Sequence, residues 1–152
     1  MSSCIDIGPA RLDEAPQIAR MSRWLIEHGF RWSWTPARVA HAIRGRDDEV
    51  AVAREERVIG FAAMRYDLDV AHLLLLGVHP RHQRQGIGKR LLDWLEGMAR
   101  VGGVEAVQLE VRASNLAARR FYRARGYVER QVARRYYSGV EDGVVMMHDL
   151  GS

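Results

Sequence analysis

The sequence has very little cysteine and no long apolar segment. Cys4 is the only cysteine among 152 residues, which excludes an internal disulfide and a site with several thiolate ligands. Apolar runs such as 73–76 are far shorter than the ~20 residues that a membrane span needs. The chain does not open with a basic stretch followed by an apolar one, so we expect no secretory signal and a cytoplasmic protein.

The charge balance is positive but diffuse. Lysine and arginine number 23 against 19 aspartate and glutamate, which gives a formal net charge of +4. Such a balance suits a phosphorylated cofactor or a nucleic acid. Because the basic residues are spread along the chain and no continuous basic face with stacking aromatics can be assembled, the sequence does not favour nucleic acid as the partner.

Hydrophobic periodicity predicts one domain over residues 1–152 with the element order β-α-α-β-β-β-α-β-α-β-β. Two strands near 50–54 and 58–66 form a hairpin around a polar turn, and a nearly continuous apolar strand at 71–78 should be buried on both faces. The strand-helix-strand unit over 73–111 is expected to join two parallel strands by a right-handed crossover. The predicted fold class is therefore α/β, with a mixed, mostly antiparallel sheet and helices on both faces.

The segment 78–89 runs from the predicted buried strand into an amphipathic helix. The first turn of a helix leaves backbone N–H groups unpaired, and the helix dipole adds partial positive charge there. Gly86 and Gly88 permit close approach to the backbone, and Arg84 and Lys89 add charge. These features predict a pyrophosphate site, although a flexible surface loop has a similar composition. The segment lacks both the P-loop ending and the dinucleotide-binding glycine pattern.

The same segment resembles a known family. Gln83-x-x-Gly86-x-Gly88 after a strand is similar to the Gln/Arg-x-x-Gly-x-Gly/Ala motif of the GNAT superfamily of N-acetyltransferases. The resemblance implies the GNAT fold, acetyl-CoA as co-substrate and no metal. It also implies cofactor contacts from the strand and from the loop, namely Leu76, Gly77 and Val78, and Arg84, Gln85, Gly86, Ile87, Gly88 and Lys89.

Residues 50–150 further resemble the ribosomal-protein alanine acetyltransferase branch of that superfamily. The resemblance rests on 109–112, on Asn115, on Phe121-Tyr122 and on Arg135-Tyr136-Tyr137. It implies that the acceptor is an amine, foremost the α-amino group of a protein N-terminus. It also implies that Tyr136 and Tyr137 lie at the acceptor site. A small amine (polyamine, amino acid or aminoglycoside) and a non-catalytic acyl-CoA sensor remain alternatives. The sequence does not decide whether the protein is a monomer or a homodimer.

Acetyl transfer to an amine needs a base for the ammonium proton and an acid for the leaving thiolate. Glu110 lies mid-strand beside the predicted cofactor strand and matches the position of the branch's general base. Alternation places it on the face opposite Leu109 and Val111, so it could instead be an exposed strand residue paired with an arginine.

Tyr122 is the candidate acid, because a phenol with a pKa of about 10 can protonate a weakly acidic thiol. It could instead be a core aromatic beside Phe121. Asn115 is expected to contact the cofactor, or to serve only as a helix cap. His79 and His82 make a weak metal site because no carboxylate or thiolate lies near them in the sequence.

Overall fold

This computed structural model describes residues 4–27, 32–137 and 141–151, without the side chains of 133–137. The described residues contain seven strands and four α-helices. The elements follow the predicted order. The strands are β1 (Asp6–Pro9), β2 (Asp48–Glu55), β3 (Arg57–Tyr66), β4 (Val70–Val78), β5 (Ala106–Arg112), β6 (Val128–Tyr137) and β7 (Glu141–Asp149). The helices are α1 (Ala15–Leu25), α2 (Pro36–Arg44), α3 (Ile87–Val101) and α4 (Leu116–Ala124).

All seven strands form one sheet in the order β1-β2-β3-β4-β5-β7-β6. Every neighbouring pair is antiparallel except β4 and β5, which are joined through α3. The prediction of a mixed, mostly antiparallel sheet with one parallel crossover is confirmed.

Two apolar clusters cover the two faces of the sheet. On one face α3 packs through Ile87, Leu91, Leu92 and Leu95, which are at most 1% exposed, and α4 adds Tyr122. On the other face α1 and α2 pack with residues such as Ile18 and Val39. Because α3 and α4 cover one face and α1 and α2 cover the other, both apolar faces of the sheet are shielded from water.

Capping side chains begin two of the helices. The Thr35 hydroxyl accepts a hydrogen bond from the Arg38 N–H at 3.3 Å, with Pro36 at the first helical position of α2. The Asn115 side-chain oxygen accepts from the Ala118 N–H at 3.0 Å and caps α4. Each cap satisfies a backbone donor that the helix itself leaves unpaired.

A bulge at Leu74 divides β4 into two halves, and the alternation of side chains between the two sheet faces is reversed in the second half. Ala63 of β3 pairs with Leu75 and Met64 pairs with Leu73, so Leu74 is the extra residue. Leu73 therefore packs in the cluster with α3, whereas Leu75 packs in the cluster with α1 and α2. Without the bulge, residues two apart would point to the same face.

The pairing of β4 with β5 ends just before that bulge. Three residue pairs connect the parallel strands, and the last joins His72 to Gln108. Beyond it the strands diverge, and Leu76 and Val78 are half-buried rather than buried. The prediction that 71–78 is buried on both faces is wrong for this second half, because no β5 residue pairs with it.

A buried hydrogen bond fixes the end of α4 against α3. The Tyr127 hydroxyl, in a residue that is 1% exposed, donates to the Glu96 carboxylate at 2.7 Å, and Glu96 is itself 5% exposed. Burial raises the pKa of Tyr127, and the bond to Glu96 raises it further. The phenol therefore stays protonated and remains a donor across the physiological pH range.

We expect Tyr127→Phe to lower the free energy of unfolding by about 1–3 kcal/mol, because Glu96 would lose a buried donor. The double variant Tyr127→Phe/Glu96→Met should regain part of that loss, since no charge is then left without its donor. Urea denaturation of the wild type, both single variants and the double variant measures the coupling. Strictly additive losses would show that the hydrogen bond contributes nothing.

Candidate active site at the strand gap

The divergence of β4 and β5 opens a cavity of about 210 Å3, called the gap cavity below. The two strands form its opposite sides, and α1 and α4 close it with apolar and polar side chains. Its wall consists of Leu25, Ile26, Leu73, Leu74, Leu75, Leu76, Leu109, Glu110, Val111, Arg112, Asn115, Ala118 and Tyr122. The gap cavity thus brings together both predicted catalytic residues.

Glu110 lies on the β5 face that looks toward α1, opposite Leu109 and Val111, as alternation predicted. Its side chain is 6% exposed. One carboxylate oxygen lies 2.7 Å from His72 Nε2, and the other accepts from the Gln108 amide at 3.3 Å. The alternative of an exposed strand residue is therefore wrong, although its role as base stays a prediction.

Tyr122 is 8% exposed and belongs to the cluster on the α3 side while also lining the gap cavity. Its ring makes edge contacts with Phe121 at 5.1 Å and Tyr127 at 5.6 Å between centroids. Tyr122 is therefore both a core aromatic residue and a residue of the cavity wall. The packing fixes the ring on the cavity wall, and the role as acid stays a prediction.

A second cavity of about 610 Å3, called the loop cavity below, adjoins the first. Its wall includes Leu76, Gly77 and Val78 of β4 and Arg84, Gly86, Gly88 and Lys89 of the predicted pyrophosphate segment. Leu25, Ile26, Leu76, Asn115, Ala118 and Tyr122 line both cavities. The predicted strand contacts, most of the predicted loop contacts and Asn115 are therefore brought together around a continuous cleft.

The loop between β4 and α3 is held in its shape by short-range interactions. The Gln83 amide donates to the Val78 carbonyl at 3.0 Å and folds the loop back onto the end of β4. Arg84 and Gly86 have positive φ angles of 64° and 78°, and Gly86 is the N-cap of α3. This left-handed conformation favours glycine at 86 and directs the start of α3 toward the loop cavity.

Gly88 leaves room that the fold itself does not require. A Cβ at this position would lie 3.5 Å from the Phe121 ring and 3.8 Å from Val78, which are ordinary van der Waals contacts. Gly77 differs, because a Cβ there would lie 2.8 Å from the Phe61 ring. Gly77 is thus needed for packing, whereas the space beside Gly88 belongs to the cavity.

Three predicted contacts are placed differently from the others. The Ile87 side chain is 1% exposed within the core, so a ligand could meet only its backbone. Gln85 is exposed and does not line the described wall of either cavity. Lys89 lines the loop cavity, but its ammonium pairs with Asp93 at 2.7 Å on the outer surface of α3.

Two anchors hold the end of α1 over the gap, and the sequence did not reveal either. Arg112 donates to the Ile26 carbonyl at 2.5 Å across the cleft. Glu27, which is 8% exposed, accepts from the Ser33 N–H and hydroxyl, both at 2.7 Å, and from the Trp34 N–H at 3.2 Å. A buried carboxylate bonded to backbone donors fixes the chain on both sides of the segment that follows α1.

The sequence also missed His72 and Arg125. Arg125, at the end of α4, lines the loop cavity and lies 5.4 Å from the Phe121 ring centroid. No local motif marks these residues, because each reaches the site only through the pairing of β4 with β5 or the docking of α4. For Arg112 a signal existed, since alternation from Glu110 places it on the same face. The side chains of Tyr136 and Tyr137 lie outside the described residues.

In the described ranges no group of three or more His, Cys, Asp or Glu side chains is arranged to hold a metal ion. His79 instead accepts from the Arg81 N–H at 3.2 Å, and its ring meets the His82 ring edge-on at 5.8 Å. None of the helices that the structure describes is long and apolar enough to cross a membrane.

Comparisons with known proteins agree with this geometry. The acetyltransferase (GNAT) family model matches residues 13–127. The ribosomal protein bS18-alanine N-acetyltransferase of Salmonella typhimurium is 35% identical over 133 residues, which cover 81% of this chain and 86% of that protein.

Solved structures have the same architecture. The ribosomal-protein-S18-alanine N-acetyltransferase of Escherichia coli superposes with a TM-score of 0.85 at 29% identity, over 98% of this chain and 96% of that one. The NAA60 protein of Arabidopsis thaliana in complex with acetyl-CoA has a TM-score of 0.84 at 19% identity, over 96% and 98% of the two chains. The fold, the strand gap, the glycine-rich loop and the family match together show that the chain belongs to the acetyltransferase (GNAT) family of N-acetyltransferases.

Proposed function

We propose that the protein transfers the acetyl group of acetyl-CoA to the α-amino group of a protein N-terminus. The observation that carries the proposal is the continuous cleft in which Glu110 and Tyr122 line one cavity and the glycine-rich loop lines the next. Proton-transfer groups in one cavity and a phosphate-binding loop in the next fit a reaction between an amine and a coenzyme thioester.

The loop cavity suits the pyrophosphate end of the coenzyme. The first turn of α3 presents its unpaired N–H groups there, and Arg84 and Arg125 add positive charge to the cavity wall. The open side of β4 beyond His72 offers backbone groups that β5 leaves unpaired. An extended amide-containing arm could hydrogen-bond to that strand as an added strand would.

Glu110 and Tyr122 would divide the proton transfers of the reaction. Acetyl-CoA supplies the acetyl group as a thioester. An α-amino group has a pKa of about 8 and is mostly protonated at neutral pH, so Glu110 takes one proton and frees the lone pair for attack on the carbonyl carbon. As the carbon–sulfur bond breaks, Tyr122 gives its proton to the thiolate and recovers one from the new amide nitrogen.

The acceptor side favours a peptide over a polyamine. Glu110 is the one carboxylate in the described walls of the two cavities, whereas a polyamine carries several positive charges that call for several carboxylates. The Salmonella and Escherichia coli relatives are named as alanine N-acetyltransferases of a ribosomal protein. Both observations support a protein α-amino group as the acceptor.

The direct test is mass spectrometry of peptides incubated with the protein and acetyl-CoA. Each peptide with a free N-terminus is paired with an N-terminally blocked, lysine-containing copy, and spermidine is included as a small amine. We expect acetylation of the free termini alone. Acetylation of spermidine but of no peptide would replace the protein N-terminus by a small amine as the acceptor.

The catalytic assignments predict a loss of turnover without a loss of cofactor affinity. Glu110→Gln removes the base and should lower kcat about 100-fold or more, and Tyr122→Phe removes the acid and should lower it about 10-fold or more. The KM for acetyl-CoA should stay within about twofold in both variants. The matched control is Glu105→Gln, at an exposed residue just before β5, which should behave like the wild type. An unchanged kcat in either variant removes that residue from its role.

The space beside Gly88 predicts an effect on cofactor binding alone. Gly88→Ala should raise the KM for acetyl-CoA about 10-fold or more, because the added methyl group enters the loop cavity. The melting temperature should not fall, since the methyl meets only ordinary contacts and alanine favours a helix by about 1 kcal/mol over glycine.

Gly97→Ala is the control for that change. Gly97 lies in the same helix, and a Cβ there would meet nothing within 4 Å. This variant should share the gain in helix stability but keep the wild-type KM. Equal KM values for the two variants and the wild type would show that the loop cavity does not hold the cofactor.

A further inference from the structure

His72 makes the shortest described contact to the predicted base. Its Nε2 lies 2.7 Å from one Glu110 carboxylate oxygen, and the Gln108 amide donates to the other oxygen at 3.3 Å. The His72 side chain is 37% exposed, whereas that of Glu110 is 6% exposed. A nearly buried carboxylate is thus in contact with an imidazole that is partly exposed.

The end of the parallel pairing creates this contact. His72 and Gln108 form the last pair between β4 and β5, and Glu110 follows Gln108 by two residues on the same face of β5. The next same-facing position on β4 is displaced by the bulge at Leu74. His72 is therefore the last β4 side chain that can reach across to Glu110 before the strands separate.

The chemistry of the pair fixes the direction of the hydrogen bond. In the ionised state that a base needs, the Glu110 carboxylate only accepts, and His72 Nε2 then carries the hydrogen and donates it. Two donors on separate oxygens hold the carboxylate in one orientation and favour its charged form over its protonated form. The fixed orientation aims the carboxylate at the cavity, and the donors offset the cost of burying its charge, so that Glu110 is ionised and can accept a proton.

We propose that His72 is a positioning residue that keeps Glu110 oriented and ionised for proton abstraction. This inference rests on the proposed function, since it assigns His72 a role through the proposed base. The second donor, Gln108, lies on the same strand as Glu110 and makes the longer contact, at 3.3 Å. His72 comes from the neighbouring strand and so ties the base to the geometry of the gap.

Other groups that bear on the charge of Glu110 are placed around the same cavity. The described ones are Arg112 on β5 and Tyr122 on α4, while β7 faces Glu110 with Val145 and α1 contributes Leu25 and Ile26. Substitution of His72 leaves all of these in place. A change in the titration of Glu110 on that substitution therefore reports on the imidazole.

The test compares His72→Leu, which removes the donor, with His72→Gln, which replaces the imidazole by a neutral amide donor. We expect kcat to fall about 10-fold or more in the leucine variant, with the KM for acetyl-CoA unchanged. The glutamine variant should recover to within about threefold of the wild type. Urea denaturation of both variants separates a loss of folding from a loss of turnover.

A second readout needs no acceptor. With Glu labelled at the side-chain carboxyl carbon, and the Glu110 signal assigned by its absence in Glu110→Gln, NMR follows the titration of that carboxyl. The midpoint should move to higher pH in His72→Leu, because the charged form loses a donor, and return toward the wild-type value in His72→Gln. An unchanged midpoint in the leucine variant, or a glutamine variant no closer to the wild type, overturns the inference.

The two readouts distinguish this inference from the proposed function. If Glu110→Gln keeps full turnover, Glu110 is not the base and the proposed mechanism fails, whatever His72 does. If Glu110→Gln is inactive but the titration of Glu110 does not respond to His72→Leu, the mechanism stands and the role of His72 fails.

Discussion

The short pairing between β4 and β5 is the constraint on which the site depends. Three parallel residue pairs join these strands. The bulge at Leu74 then reverses which side chains of the second half of β4 point to each face of the sheet. A fully paired parallel sheet would have buried both strands and left no cleft. The sheet stays continuous because β3 and β7 hold the outer edges of the diverging strands.

The gap also separates two kinds of chemistry along one cleft. The carboxylate of Glu110, beside His72, lines the gap cavity, and the positive first turn of α3 lines the adjoining loop cavity with Arg84 and Arg125. A carboxylate and a positive helix start would perturb each other's electrostatics at close range. Because they line different cavities, the proposed base and the proposed phosphate site each have their own local electrostatics.

The helix over the gap is held by polar contacts rather than by packing alone. Arg112 bonds the Ile26 carbonyl, and the buried Glu27 gathers Ser33 and the Trp34 backbone. Because Leu25 and Ile26 line both cavities, these bonds help to hold one wall of the cleft in place. Cofactor and acceptor would therefore meet a wall whose position is fixed from β5.

The sequence by itself determined the element order, the helix cap at Asn115, the glycine-rich turn and the face on which Glu110 lies. These features depend on local propensity, capping and alternation, which neighbouring residues decide. Only the tertiary structure decided that β4 and β5 separate after His72, that a methyl group fits beside Gly88 but not beside Gly77, and that His72, Arg112, Glu27 and Arg125 belong to the site. Those facts depend on strand register and on contacts between residues far apart in the chain, which no local pattern encodes.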